Sequence, residues 1–194
     1  MSELKHFTHI LLRAPRADVA ILVITFLLTV FADLVVAVNV GVILAILHFI
    51  RRMSEAVDVT QLSPQELKAE LSELGRAALP ADTLVYEIEG PFFFGAVENF
   101  EQALLHTHTD PKALIIRLRR VPFMDITGLQ ALDEVIGKLQ KRGVHVMLCE
   151  ANERVRAKLW KAGVLDTLPE GDYADTLAPL LARAEADAVR IKGP

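Results

Sequence analysis

The chain holds 194 residues, 52% of them hydrophobic, with 21 basic and 25 acidic side chains and a formal charge of −4. That balance offers no concentrated phosphate-neutralising face and argues against nucleic-acid binding. The single cysteine, Cys149, excludes an internal disulfide framework and a multi-cysteine zinc site.

Val19 to Ile50 is almost wholly apolar, interrupted only by Thr25, Thr29, Asp33, Asn39, Gly41 and His48, and it ends in Arg51-Arg52. A run of this length with few charges is a candidate for spanning a bilayer. As one helix it would reach roughly 48 Å against a hydrocarbon core of about 30 Å, so a single crossing requires strong tilt. Broken near Asp33, it gives Ala17–Ala32 and Leu34–Ile50, each about 24 Å long and slightly short for a span. The flanking charges favour this second reading. Arg13 and Arg16 precede the run and Arg51 and Arg52 follow it, and a hairpin places both clusters on the cytoplasmic side. Asp33 reads either as an ion-pathway carboxylate or as the turn of the hairpin, and its position between two apolar halves suits the turn. Asn39 is available for a hydrogen bond across the helices, and Gly41 for close helix contact. The front does not read as a secretory signal: Met1–Arg16 carries mixed charges and Pro15, and the apolar core is too long.

After Arg52 the composition turns water-soluble. Residues 53–82 read as a linker with one helix. Ser63-Pro64-Gln65-Glu66 has the pattern of a capping box with proline at the first helical position. Leu67, Leu71 and Leu74 then form a narrow apolar stripe before Gly75.

From residue 83 to 194, strand and helix signals alternate. Leu84–Ile88 reads as a strand stopped by Gly90-Pro91. Phe92–Gly95 reads as a short extended piece with its phenylalanines in the core or at a strand edge, and Ala96–His106 as a helix. Ala113–Leu118 reads as a buried strand ended by Val121-Pro122. Thr127–Lys141 reads as a helix through Leu129, Leu132, Ile136 and Leu139, and Val144–Cys149 as a strand holding an inert core thiol. Asn152–Ala162 and Tyr173–Ala188 read as two further helices. The pattern predicts an α/β domain with helices covering a small mixed sheet, large enough to fold alone. The histidines, including the pairs His6/His9 and His106/His108, form no ligand set, so no metal is expected. No phosphate loop or nucleophile–base pair is present either, so neither a cofactor nor catalysis is expected.

The loop Val121-Pro122-Phe123-Met124-Asp125-Ile126-Thr127-Gly128-Leu129 resembles the signature of STAS domains, found in anti-sigma-factor antagonists and in the tails of SulP-family anion transporters. Gly90–Gly95 before it and Gly143–Val146 after it fit the same pattern. Arg13–Asp18, the apolar pair and Arg51-Arg52 are similar to the last two membrane helices of a SulP transporter. The resemblance covers nearly the whole chain. It implies the carboxy-terminal part of a sulfate-class inorganic anion transporter, not transport-competent alone, whose domain regulates or assembles the carrier. It also implies a cytoplasmic-membrane, multi-pass setting with the STAS domain in the cytoplasm, the remainder of the transporter membrane domain as partner, and a homodimer through it.

In the antagonist group the hydroxyl residue before this glycine accepts phosphate. The matching position is Thr127, with Asp125 and Gly128 in the same loop and Arg119 and Arg120 available to attract the phosphate. Arg119 and Arg120 depart from the more acidic strand usual in that group. On the residues alone, Asp125 or Thr127 is a helix cap. The same helix start could hold a nucleotide phosphate, though no base-specific element accompanies it. The alternative function is a membrane-tethered partner-switch protein regulated at Thr127.

Overall fold

The structure, a computed structural model, describes residues 16–31, 33–54, 57–93, 97, 100, 102–103 and 111–191. Arg13, His6, His9, Phe94, Gly95, His106 and His108, and most of the helix expected over Ala96–His106, lie outside them. Two compact units divide the chain, Met1–Met53 and Ser54–Pro194.

In the first unit, α1 covers Arg16–Phe31 and α2 covers Leu34–Ser54. The helix breaks where the sequence reading places it. The Asp33 carboxylate accepts a hydrogen bond from the Val35 amide at 2.9 Å, and its carbonyl accepts from the Ala37 amide at 2.9 Å. Asp33 therefore satisfies the free amides that open α2. The helices run side by side in opposite directions. Asp18, near the start of α1, pairs with His48 near the end of α2 at 3.3 Å. Midway, a Cβ on Gly41 would lie 2.7 Å from the Thr25 hydroxyl oxygen, so only glycine allows this approach. Thr25 and Thr29 donate to the carbonyls of Ile21 and Thr25, each at 2.8 Å. Asn39 differs from the expected cross-helix bond and donates to Val35 of its own helix at 2.8 Å. One helical stretch among the described residues, Leu34–Arg52, is long and apolar enough to cross a membrane.

The second unit is built on a five-stranded sheet in sequential order: β1 (Asp58–Gln61), β2 (Thr83–Glu89), β3 (Ala113–Arg120), β4 (His145–Cys149) and β5 (Tyr173–Ala174). β1 is antiparallel to β2, and the remaining neighbours are parallel. The helices are α3 (Pro64–Glu73), α4 (Ile126–Lys141), α5 (Glu153–Lys161) and α6 (Leu177–Ile191), with a 3-10 turn at Val164–Thr167. Strand alternation sorts β3 between two layers. Ala113 and Ile115 pack with Leu67 and Leu71 of α3 and with Leu177, Leu180, Leu181 and Ala184 of α6. Leu114, Ile116 and Leu118 point the other way, toward the layer that holds buried Leu129, Leu132 and Ile136 of α4 and Val155 and Leu159 of α5.

α3 forms as its sequence dictates. Ser63 Oγ accepts from the Glu66 amide at 3.3 Å, and the Glu66 carboxylate accepts from the Ser63 amide at 2.7 Å. Gly75, at φ +69, then turns the chain out of the helix. Three readings are corrected. Residues 53–82 contain, besides the expected helix, strand β1, whose mixed polar sequence takes its form from pairing with β2. Tyr173-Ala174 is a strand rather than the start of the last helix, which begins at Leu177, where Pro179 falls in the first turn. Leu74 is exposed while Leu67 and Leu71 are buried, because the helix has already ended.

Candidate functional site

The carboxy ends of β2 and β3 lead into one compact corner. Phe92 makes a single parallel bridge with Met124. Its amide donates to the Phe123 carbonyl at 2.9 Å, and its own carbonyl accepts from the Asp125 amide at 3.1 Å. Gly128 sits directly against this bridge: a Cβ there would meet the Phe92 carbonyl oxygen at 2.7 Å and the Phe92 ring at 2.8 Å. The glycine is thus required for close approach, not for a turn. The corner is also tied from α5. Asn152 Nδ2 donates to the Val121 carbonyl at 2.6 Å, and Lys158 Nζ to the Met124 carbonyl at 2.6 Å.

Asp125 is the cap of α4: its Oδ1 accepts from the Gly128 amide at 2.8 Å. Thr127 is the second helical residue, half-buried, and its hydroxyl forms no hydrogen bond among the described residues. Of the two caps the sequence allows, Asp125 fills the role, which leaves the threonine oxygen available. Phe123 and Ile126 flank it, 43% and 63% exposed, with Phe123 stacked on Phe93 at 6.5 Å.

Arg119 and Arg120 are occupied by carboxylates. Arg119 pairs with Glu87 at 3.0 Å and Arg120 with Glu89 at 2.7 Å, because the parallel register sets β3 beside β2. The structure gives these guanidinium groups glutamate partners, not an open face toward Thr127.

A nearly fully buried cation was missed in the sequence reading. Arg117, 1% exposed, lies in phase with Ala113 and Ile115 on the α3 side of the sheet. It forks onto Glu150 at 2.7 and 3.0 Å and onto Glu70 at 2.9 and 3.0 Å. Burial opposes its charge, but the hydrogen bonds to Glu150 and Glu70 outweigh that and raise its pKa. Glu150 adopts a left-handed backbone, φ +61, at the end of β4. The only available clue was a charged residue at an apolar position of a strand. A second polar tie binds the other end of β4 to α6: the two ring nitrogens of His145 contact Asp172 and Asp187, each at 2.6 Å. Burial pushes the Cys149 thiol up, in keeping with an inert core residue.

The chain belongs to the STAS-domain family, whose model matches residues 76–179. A candidate sulfate transporter of Bacillus subtilis, YvdB, is 33% identical over 90% of this chain and 32% of its own length. The bicarbonate transporter BicA of Synechocystis is 28% identical over 98% of this chain and 33% of its own length. The chain therefore spans about a third of the curated relatives it matches. The solved STAS domain of a SulP transporter from Vibrio cholerae is 41% identical, with a TM-score of 0.52 over 66% of this chain and 98% of that one. These matches are consistent with the carboxy-terminal region of a SulP-family protein, and the relatives are named as transporters, not enzymes.

Proposed function

We propose that the chain is the carboxy-terminal part of a SulP-type inorganic anion transporter, made of a membrane hairpin over residues 1–52 and a cytosolic domain in which β1 and α3, from the stretch 53–82, join the STAS fold of 83–194. The observation that carries this reading is the extent of the matches. Two transporters align with 90% and 98% of the chain, so the apolar pair and the STAS domain recur together in each. The relatives' names support an inorganic anion of the sulfate or bicarbonate kind as the cargo. The hairpin would seat against the remaining membrane helices in the cytoplasmic membrane, and the domain would regulate or assemble the carrier, with a second protomer as partner. Transport itself requires the upstream membrane domain.

A chimaera tests this. YvdB lacking its matched third is expected to regain anion uptake when this chain is fused in its place, while the chain alone gives none in reconstituted vesicles. Uptake by the chain alone, or a membrane-inserted but inactive chimaera, overturns the reading.

One observation favours the partner-switch alternative: the unbonded, half-exposed Thr127 hydroxyl beside the Asp125 cap, where a phosphate would meet the positive end of α4. Stoichiometric phosphorylation of Thr127 coupled to release of a protein partner would support it. Nucleotide phosphate at the same helix start is tested by equilibrium dialysis with the full chain.

A further inference from the structure

From residue 54 onward the chain carries sixteen basic and twenty-two acidic side chains, yet α5 breaks the trend. Within nine residues it holds Arg154, Arg156, Lys158 and Lys161 against a single acid, Glu153. Val155 and Leu159 point into the core, so the opposite face carries Glu153, Arg154, Ala157, Trp160 and Lys161. Trp160 is 75% exposed, a position that wastes the apolar ring of an ordinary surface helix. Two of the charges are engaged: Arg156 with Asp175 at 3.0 Å and Lys158 with the Met124 carbonyl. Arg154 and Lys161, toward one edge of that face, pair with no carboxylate among the described residues, while Glu153, Arg156 and Asp175 line the groove beside the indole.

We infer that the outer face of α5 is a docking surface for anionic lipid headgroups, with Trp160 entering the interfacial layer and Arg154 and Lys161 neutralising phosphates beside it. Indoles partition to the headgroup level, and each basic side chain near an anionic leaflet adds attraction. A local excess of basic side chains on an acidic domain fits such a surface by charge. Covalent attachment to an apolar hairpin supplies a high effective concentration of lipid. The inference rests on the membrane reading above.

Trp160 is the only tryptophan in the chain, so its emission reports this site alone. The test uses the full chain in nanodiscs of phosphatidylcholine with bromine-labelled phosphatidylglycerol. Bromine quenching of Trp160 is expected, with roughly tenfold weaker docking in high salt and in Arg154→Glu/Lys161→Glu. Circular dichroism of the variant confirms that it stays folded. Unquenched emission overturns the inference, as does equal quenching in all-phosphatidylcholine discs carrying the label or in the charge-reversed variant. An emission shift with polyglutamate but not with lipid would assign the face to an acidic protein instead and overturn it too. A chain that never enters the discs sinks the membrane reading; one that enters with Trp160 unquenched sinks only this inference.

Discussion

The two units use the same aliphatic residues toward opposite ends. In the sheet domain Ile115, Ile116, Leu118 and Val146 are fully buried, whereas in the hairpin Phe26, Val30, Phe31, Val35 and Phe49 are all more than half exposed. The hairpin does not lack cohesion, since Ala37 is buried and Gly41 meets Thr25. Two helices simply cannot enclose the apolar surface they carry, so that surface must find its burial outside the hairpin. Polar groups show the same division. The domain joins its polar side chains across elements, as Arg117 does, while in the middle of the hairpin Thr25, Thr29 and Asn39 bond to carbonyls of their own helices and the Asp18–His48 pair crosses near the helix ends.

The largest expected effect breaks the comparison at its joint. The full chain is expected in the alkali-washed membrane pellet, and residues 54–194 in the supernatant. Recovery of the full chain as a soluble monomer would show that the hairpin's apolar face is not lipid-facing. Next, Arg117→Met leaves the partly exposed Glu70 and Glu150 carboxylates without their cation, and urea unfolding of residues 54–194 is expected to show a loss of about 2–3 kcal/mol. Adding Glu70→Leu and Glu150→Asn is expected to restore much of it; no recovery would mean the arginine acts through packing.

Gly128→Ala is expected to cost about 1–3 kcal/mol by driving a methyl into the Phe92 carbonyl. Gly137→Ala, with nothing within 4 Å of its new methyl, is expected to stabilise by about 0.5–1 kcal/mol. Asp125→Ala is expected to remove about 1 kcal/mol of helix capping. The smallest effect concerns pH. The Cys149 thiol is raised by burial, so its stabilisation is complete below the unfolded value near 8.5 and is lost as pH rises. At pH 9 the unfolded state gains about 0.8 kcal/mol from ionising, an effect a Cys149→Ala variant should not show.

What was legible in the sequence was local. The Ser63 capping box, the Asp33 break and the buried strand of Ala113–Leu118 each carry their cause within a few residues. The same holds for the Asp125–Gly128 loop, although the reason for its glycine lies in Phe92, some thirty-six positions earlier. β1 and β5 were missed because four polar-leaning residues and two residues become strands only beside β2 and β4. The partners of Arg119 and Arg120 were hidden for the same reason, since parallel register sets them beside the glutamates of β2, and those of Arg117 lie on α3 and just beyond β4.

The Arg117 fork has a consequence for descent. Its two glutamates come from a helix and a strand end separated by eighty positions, and each shares the one cation. Loss of the arginine costs two pairings at once, so lineages of this domain are expected to change the three positions together more often than singly.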